Sequence, residues 1–525
     1  MAETPSTPDG GEARKKLTSA MWMALIAAFL GWMFDGMEMG IYANFIRPAL
    51  VELMGPGSEP RIPMAISWTL SLFLVGMAAG GILFGRLGDR IGRVRSMALA
   101  ILTYAIFTGL SGFATRWEHI AACRFLGAMG LGGEWGAGVA LVMETWPNAS
   151  RPLMAGVLGA AANFGFLASS GIAWLARYFD WGWRQPLWCG AIPAFLVFFL
   201  RLGIKEPERY VKSKERGEES RLRDLFVGET RRRTLVGSGL GAIAVLGMWG
   251  AWQCWLPSWA PDLAAPQAKV VQDAGKLADP LARPGTKTVS QEEAQGVVDA
   301  ARKAAPAAQE AAELTRAAQS DAQAAAARAE EAASKLEEAA ESPGAAEKLR
   351  FDAASAAVAS IRAAQLTIKR AQATARAAVP QWMAIGSIFG AIIGGLIGGW
   401  MGRRPSYALL CLCSLAVTFP LYFTVHEYGT RLLVLTFLSG IPITAFFGWL
   451  PLYLPELYPT RLRATGEGFC FNVGRVVSAI GVFGTGALAA SVGIPHAAAY
   501  MSLIFLLGLP VIALAPETKG QELPE

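Results

Sequence analysis

Charge is scarce in this chain. Asp, Glu, Lys and Arg make up 17% of its 525 residues, against 53% hydrophobic residues. A soluble domain carries about a quarter charged residues and lacks repeated apolar runs of about 20 residues, the length that crosses a bilayer as a helix. A soluble globular fold is excluded. No Walker sequence occurs, which excludes the phosphate-cradling loop of an ATP-driven pump. The glycine runs 237–241 and 390–399 lie in apolar stretches, where small residues permit helix contact. The six cysteines (Cys123, Cys189, Cys254, Cys411, Cys413 and Cys470) also fall in apolar stretches, without the spacing of a disulfide framework or a zinc site. His119, His426 and His496 fall at segment ends, so no metal is expected. The net charge of +6 is no nucleic-acid footprint, because the basic residues collect in particular loops.

What is present is a succession of apolar segments. Hydropathy marks twelve spans, at about 19–46, 63–88, 94–114, 118–142, 152–176, 183–203, 234–259, 380–402, 405–425, 429–452, 465–490 and 495–515. Arg86, Arg90, Arg93 and Arg95 follow the second span, and a polar stretch over 201–233 follows the sixth. Arg403 and Arg404 follow the eighth, and Arg461 and Arg463 the tenth. All lie on one side, which the positive-inside rule makes cytoplasmic. Both termini then face the cytoplasm, and a multi-pass protein of the inner cell membrane is expected. Residues 1–16 are polar, with no cleavable signal pattern after them, so the first span serves as its own anchor.

The chain repeats itself. The segment from Gly85 to Arg93 aligns with that from Gly395 to Arg403, and Glu144 to Arg151 aligns with Glu456 to Arg463, at nearly the same offset. This indicates a duplicated six-span half, both copies in one orientation, an architecture that places a site between the halves at mid-membrane. The fold class expected is an all-α membrane protein of twelve transmembrane helices in two six-helix parallel repeats. The organisation reads as a tail (1–18), an N-terminal half (19–203), a linker (204–233), the seventh span (234–261), an Ala-rich insertion (262–379), spans eight to twelve (380–515) and a short tail (516–525). The insertion reads as an extracytoplasmic helical hairpin. Ser290 to Glu293 forms a capping box before a short helix, then runs 307–341 and 345–379 pair about a turn at Ser342–Gly344. Glu331 and Lys335 support one arm at four-residue spacing. A solvated spacer is the plain reading of the hairpin, and contact with an envelope component the functional one.

Few charges lie at membrane depth, and each is expensive there. Asp35 and Glu38 share one face of the first span. Arg124 and Glu134 lie in the fourth. Arg475 lies in the eleventh, near the midplane, at the repeat position of Asn163, and guanidinium pairs bidentately with a carboxylate. Trp249, Trp252, Gln253, Phe446 and Phe447 are candidate lining residues, and packing is the plain alternative for each tryptophan. Glu467 reads as a partner of Arg461 or Arg463.

The pattern G-x-x-x-D-R-x-G-R from Gly85 to Arg93 resembles the loop between spans two and three of the major facilitator superfamily. The resemblance covers all twelve spans and leaves out the insertion. In the second copy Gly399 and Trp400 replace the acid–arginine pair. The stretches Arg124–Gly136 and Glu144–Arg151 are similar to the sialate:proton and related organic-acid:proton symporters, whereas Pro516–Gly520 is similar to the sugar porters. The resemblance implies alternating access. It implies a cytoplasmic gate of Gly85, Asp89, Arg90, Gly92, Arg93, Glu144, Arg151, Glu456 and Arg463, with static salt bridges as the plain alternative. Proton-coupled sugar porters pair an acid in span one with an arginine in span four. On that likeness Asp35 is expected to pair with Arg124 and carry the proton, with Glu38 and Glu134 as alternative carriers. Proton-coupled symport of a small organic acid (sialate, aromatic or another monocarboxylate) is expected, Arg475 holding the carboxylate. A sugar porter is the runner-up, and a transporter-like receptor or scaffold acting through the hairpin a further alternative. The expected partners are an anionic small molecule, protons and lipid, with no enzyme activity, no nucleic acid and no cofactor beyond the proton gradient. A monomer is expected.

Overall fold

The computed structural model of the chain describes residues 18–55, 58, 61–179, 181–191, 211, 222–253, 255–282, 289–316, 318–343 and 345–524. The N-terminal half comprises α1 (Ser19–Met54), α2 (Ile62–Ile91), α3 (Arg93–Ser111), α4 (Trp117–Thr145) and α5 (Arg151–Tyr178). The other half opens with α6 (Gly228–Met248), a π-helical turn (Trp249–Gln253) and α7 (Trp255–Ala264). The insertion follows as α8 (Ala268–Ala278), α9 (Gln291–Thr315) and α10 (Gln319–Glu341). The chain then returns through α11 (Ala346–Met401), α12 (Arg403–Thr424), α13 (Thr430–Tyr453), α14 (Arg463–Val492), α15 (Ile494–Ser502) and α16 (Ile504–Ala513). Among the described residues, eleven helices or joined helices are long and apolar enough to cross a membrane. The expected sixth span, 183–203, lies mostly outside the described residues.

The repeat is visible in the packing. Where α2 crosses α4, Gly76 and Gly80 sit against the carbonyls of Phe125 and Met129. Where α11 crosses α13, Gly386 and Gly390 sit against those of Phe437 and Ile441. A side chain at any of the four would overlap the facing backbone, so glycine is what lets these helices touch. Each copy also breaks at the same place. Gly92, φ 116°, separates α2 from α3, and Gly402, φ 98°, separates α11 from α12. Both angles suit glycine, which has no Cβ to clash.

The insertion departs from a two-armed hairpin. The capping box at Ser290 forms, its hydroxyl accepting from Glu293 N at 3.2 Å and Glu293 Oε2 accepting from Ser290 N at 2.9 Å. The helix it starts is long and passes through Pro306; proline costs a hydrogen bond there, and the surrounding alanines, the strongest helix formers, outweigh it. The break comes later, at Arg316 and Ala318, both in the left-handed region. After the turn at Ser342, α11 runs unbroken through Pro380 into the eighth span for 56 residues. Ala301, Ala308, Ala325, Ala332, Ala357 and Ala364 are buried between α9, α10 and α11, giving the insertion an alanine core of its own. The pair Lys335–Glu331 forms at 2.6 Å.

Candidate functional site

The turn at Gly92 builds a charged cluster that joins the two halves. It places Arg93 at the start of α3, where Nη1 donates to Gly88 O at 3.2 Å and Nη2 lies 3.2 Å from Asp89 Oδ1 and 3.3 Å from Glu144 Oε1. The same Nη2 donates across the halves to Thr460 O at 2.7 Å. Glu144 Oε1 accepts from Arg463 Nη1 of the other half at 2.8 Å. Asp89 Oδ2 accepts from the backbone N of Thr465 at 2.9 Å and from its hydroxyl. These side chains are buried, so the two halves are held together at this cluster in this structure. Arg90 is exposed.

The second copy builds the same turn with different ends. Arg403 Nη1 donates to Gly398 O at 2.9 Å, and its Nε and Nη2 bind Glu456 at 2.9 and 2.5 Å. Arg151 is buried and acts electrostatically on Glu456. Gly395 and Gly399 press on Pro152 of α5. The tail closes over this copy. Glu517 accepts from Arg403 N and Arg404 N at 2.9 and 3.0 Å, and Lys519 Nζ donates to Trp400 O at 2.7 Å. Glu467 pairs with neither expected arginine. Arg461 reaches Asp224 at 3.4 Å and Arg463 is taken by Glu144. Glu467 is fully buried beside that cluster, and neither of its oxygens has a hydrogen-bond partner among the described residues.

Deeper in, the two halves enclose a cavity of about 80 Å³. Of the expected substrate residues, Arg475, Asn163, Trp249 and Phe447 line it. Arg475 Nη1 donates to Asn472 Oδ1 at 2.6 Å, and its guanidinium lies 4.6 Å from the Phe471 ring centre. Trp252, Gln253 and Phe446 do not line this cavity. Trp252 is fully buried and donates to Ser439 Oγ at 2.8 Å. Phe446 is packed between Tyr407 and Phe505. Both belong to the core of the C-terminal half. The π-helical turn carries Trp249 into the cavity and Trp252 away from it. Sequence reasoning missed Trp32, Phe166, Phe471 and Thr444 in the wall. Phe471 lies one helical turn from Arg475 on α14, and that spacing was the available signal.

Arg124 does not pair with Asp35. Its Nη1 bonds Glu38 Oε1, which also accepts from Thr108 Oγ1 at 3.3 Å. The guanidinium lies between two rings, 3.8 Å from the centre of Tyr42 and 4.1 Å from that of Phe73. Both charges are buried, Glu38 at 4% and Arg124 at 8% exposure. Asp35, one turn along α1, faces the central cavity instead, near enough for its charge to act on Arg475. Glu134 is buried on α4 and does not line the central cavity.

The geometry is that of two halves around a polar midpoint. A family model described as sugar (and other) transporter matches residues 23–226 and 329–519, leaving out most of the insertion. A probable 4-methylmuconolactone transporter of Cupriavidus pinatubonensis is 25% identical over 94% of this chain and 90% of its own. A putative niacin/nicotinamide transporter of Bacillus subtilis is 31% identical over 44% of this chain and 56% of its own. The sialic acid transporter of Escherichia coli is 27% identical over 38% of this chain and 48% of its own. The solved proton:xylose symporter of the major facilitator superfamily shares the fold at a TM-score of 0.60, with 14% identity, over 96% of this chain and 98% of its own. The chain is a membrane-spanning transporter and belongs to the sugar (and other) transporter family, within the major facilitator superfamily.

Proposed function

We propose that this transporter is a proton-coupled symporter of a small carboxylate, working by alternating access across a cell membrane. The observation that carries the reading is the guanidinium of Arg475, presented to a cavity between the halves and flanked by aromatic rings. A planar guanidinium recognises a carboxylate through paired hydrogen bonds. The cavity wall of Trp32, Phe166, Trp249, Phe447 and Phe471 suits a compact apolar body behind that carboxylate. Relatives named for sialic acid and for niacin fit the same class.

Proton coupling is assigned to Glu38 and Arg124, with Glu38 in place of Asp35 as the carrier of that pair. A buried acid bound to a buried arginine costs desolvation, and protonating the acid releases the arginine. The gate residues hold the cytoplasmic side while the opposite side exchanges substrate. A sugar porter remains the second reading, favoured by the family model and by Pro516–Gly520. In this chain, however, Glu517 and Lys519 are spent on the helix ends at Arg403 and Trp400, away from the cavity.

Uptake of benzoate, nicotinate, N-acetylneuraminate and glucose into proteoliposomes tests the proposal. An acid is expected to accumulate with an inward proton gradient, and Glu38→Gln to lower that accumulation while exchange persists. Gradient-independent equilibration of glucose, with no acid moved, overturns it.

A further inference from the structure

The carboxylate reading uses one of the two charges in the central cavity. Asp35 of α1 and Arg475 of α14 both line it, and both are buried, at 5% and 8% exposure. The other walls supply neutral groups: Asn163 from α5, Thr444 from α13, Trp249 from the π-helical turn, and Leu74 and Met77 from α2. Glu38 lies one turn away along α1 and is held by Arg124. Asp35 and Arg475 therefore compensate each other until a substrate enters. A substrate carboxylate that takes the guanidinium places a second anion beside Asp35 in one buried volume. Two carboxylates that share such a site do not both stay ionised.

We propose that a monocarboxylate binding at Arg475 brings a proton onto Asp35, so that each cycle carries two protons, one on Asp35 and one on Glu38. The inference rests on the carboxylate reading above. The step balances in charge. Before binding, the Asp35 carboxylate and the Arg475 cation sum to zero. The substrate anion and one proton enter together, the proton bonds to a carboxyl oxygen of Asp35, and the substrate carboxylate pairs with Arg475. The site stays neutral. With the second proton at Glu38, one monoanion and two protons cross, and one positive charge moves per cycle. With Glu38 alone, the cycle would move none.

The test uses the full-length protein in proteoliposomes, with nicotinate, benzoate and N-acetylneuraminate as probes. The proton gradient and a valinomycin-set potassium potential are varied until net flux reverses, which gives the proton:substrate ratio. A ratio of two and flux driven by potential alone are expected for the wild type. Asp35→Asn is expected to drop the ratio to one and lose the response to potential, and Asp35→Glu to keep two. A wild-type ratio of one, indifferent to potential, overturns the proposal, as does a ratio of two in Asp35→Asn. If Asp35→Asn does not yield monodisperse protein, the wild-type and Asp35→Glu ratios decide. Failure of the underlying reading looks different: none of the three anions is moved by the wild type, whatever the gradient.

Discussion

The turn from Gly85 to Arg93 and the turn from Gly395 to Arg403 are two copies of one device with different work to do. Each breaks at a glycine of positive φ, each sends its arginine back to a carbonyl of the preceding helix, and each binds that arginine to a glutamate of its own half. They part at one position. Asp89 in the first copy reaches Thr465 of the other half, whereas Gly399 in the second presses on Pro152. One seam between the halves is held by charge and hydrogen bonds, the other by close backbone contact. Polar links of this kind form or break as units, and tight apolar packing tolerates only small sliding. A duplicated turn need not make a symmetric contact between the halves.

The sharpest way to break this contrast is Glu144→Gln. It removes the carboxylate shared by Arg93 and Arg463; Arg93 keeps Asp89, but Arg463 is left a buried cation without its carboxylate, a loss of about 3–5 kcal/mol. A lower melting temperature is expected, with reduced disulfide cross-linking between cysteines placed on α2 and α14. Glu456→Gln disturbs a pair within one half and should leave that cross-link intact. Equal loss in both variants would dissolve the distinction. A smaller effect is expected on the packed seam. A Cβ at Gly395 would lie 2.2 Å from Pro152 O, against 3.0 Å from Ala464 O for one at the matching Gly85. Gly395→Ala should therefore cost about 1–3 kcal/mol in overpacking and Gly85→Ala less. Matching melts for the two would show that the seams are equally tight.

The smallest effect concerns the tail, whose Glu517 caps the second copy while Pro524 O accepts from Arg463 Nη2 at 2.7 Å. Burial pulls the Glu517 carboxyl up, but the backbone N–H groups of Arg403, Arg404 and Lys519 outweigh it and hold the group below the usual glutamate range. A carboxyl lowered on folding stabilises the protein above its ordinary value and loses that contribution as pH falls through the folded one. Wild type should out-melt Glu517→Gln at neutral pH, and the gap should close on acidification below the ordinary glutamate range. A gap that stays constant with pH would assign the effect to shape rather than charge.

Much of this was legible in the sequence, for physical reasons that also explain the misses. Spans, repeat and gate turn follow from hydropathy, spacing and glycine, which act locally. The choice between Asp35 and Glu38 as partner of Arg124 does not. The two acids lie on one face of α1, one turn apart, and the tilt of α1 against α4 decides which of them meets the arginine. Trp249 and Trp252 were separated by a π-helical turn, which shifts the register by one residue and has no composition of its own. The break at Arg316–Ala318 carries neither glycine nor proline, so an alanine-rich run hid it.

The unbroken α11 has a mechanical meaning. Its outer portion extends about 50 Å beyond the apolar span, so each degree of rocking of the C-terminal half sweeps its tip by about 0.9 Å. The insertion is a pointer fixed to one half of the transporter, and it magnifies a tilt at the membrane into a displacement large enough for a distance probe to follow.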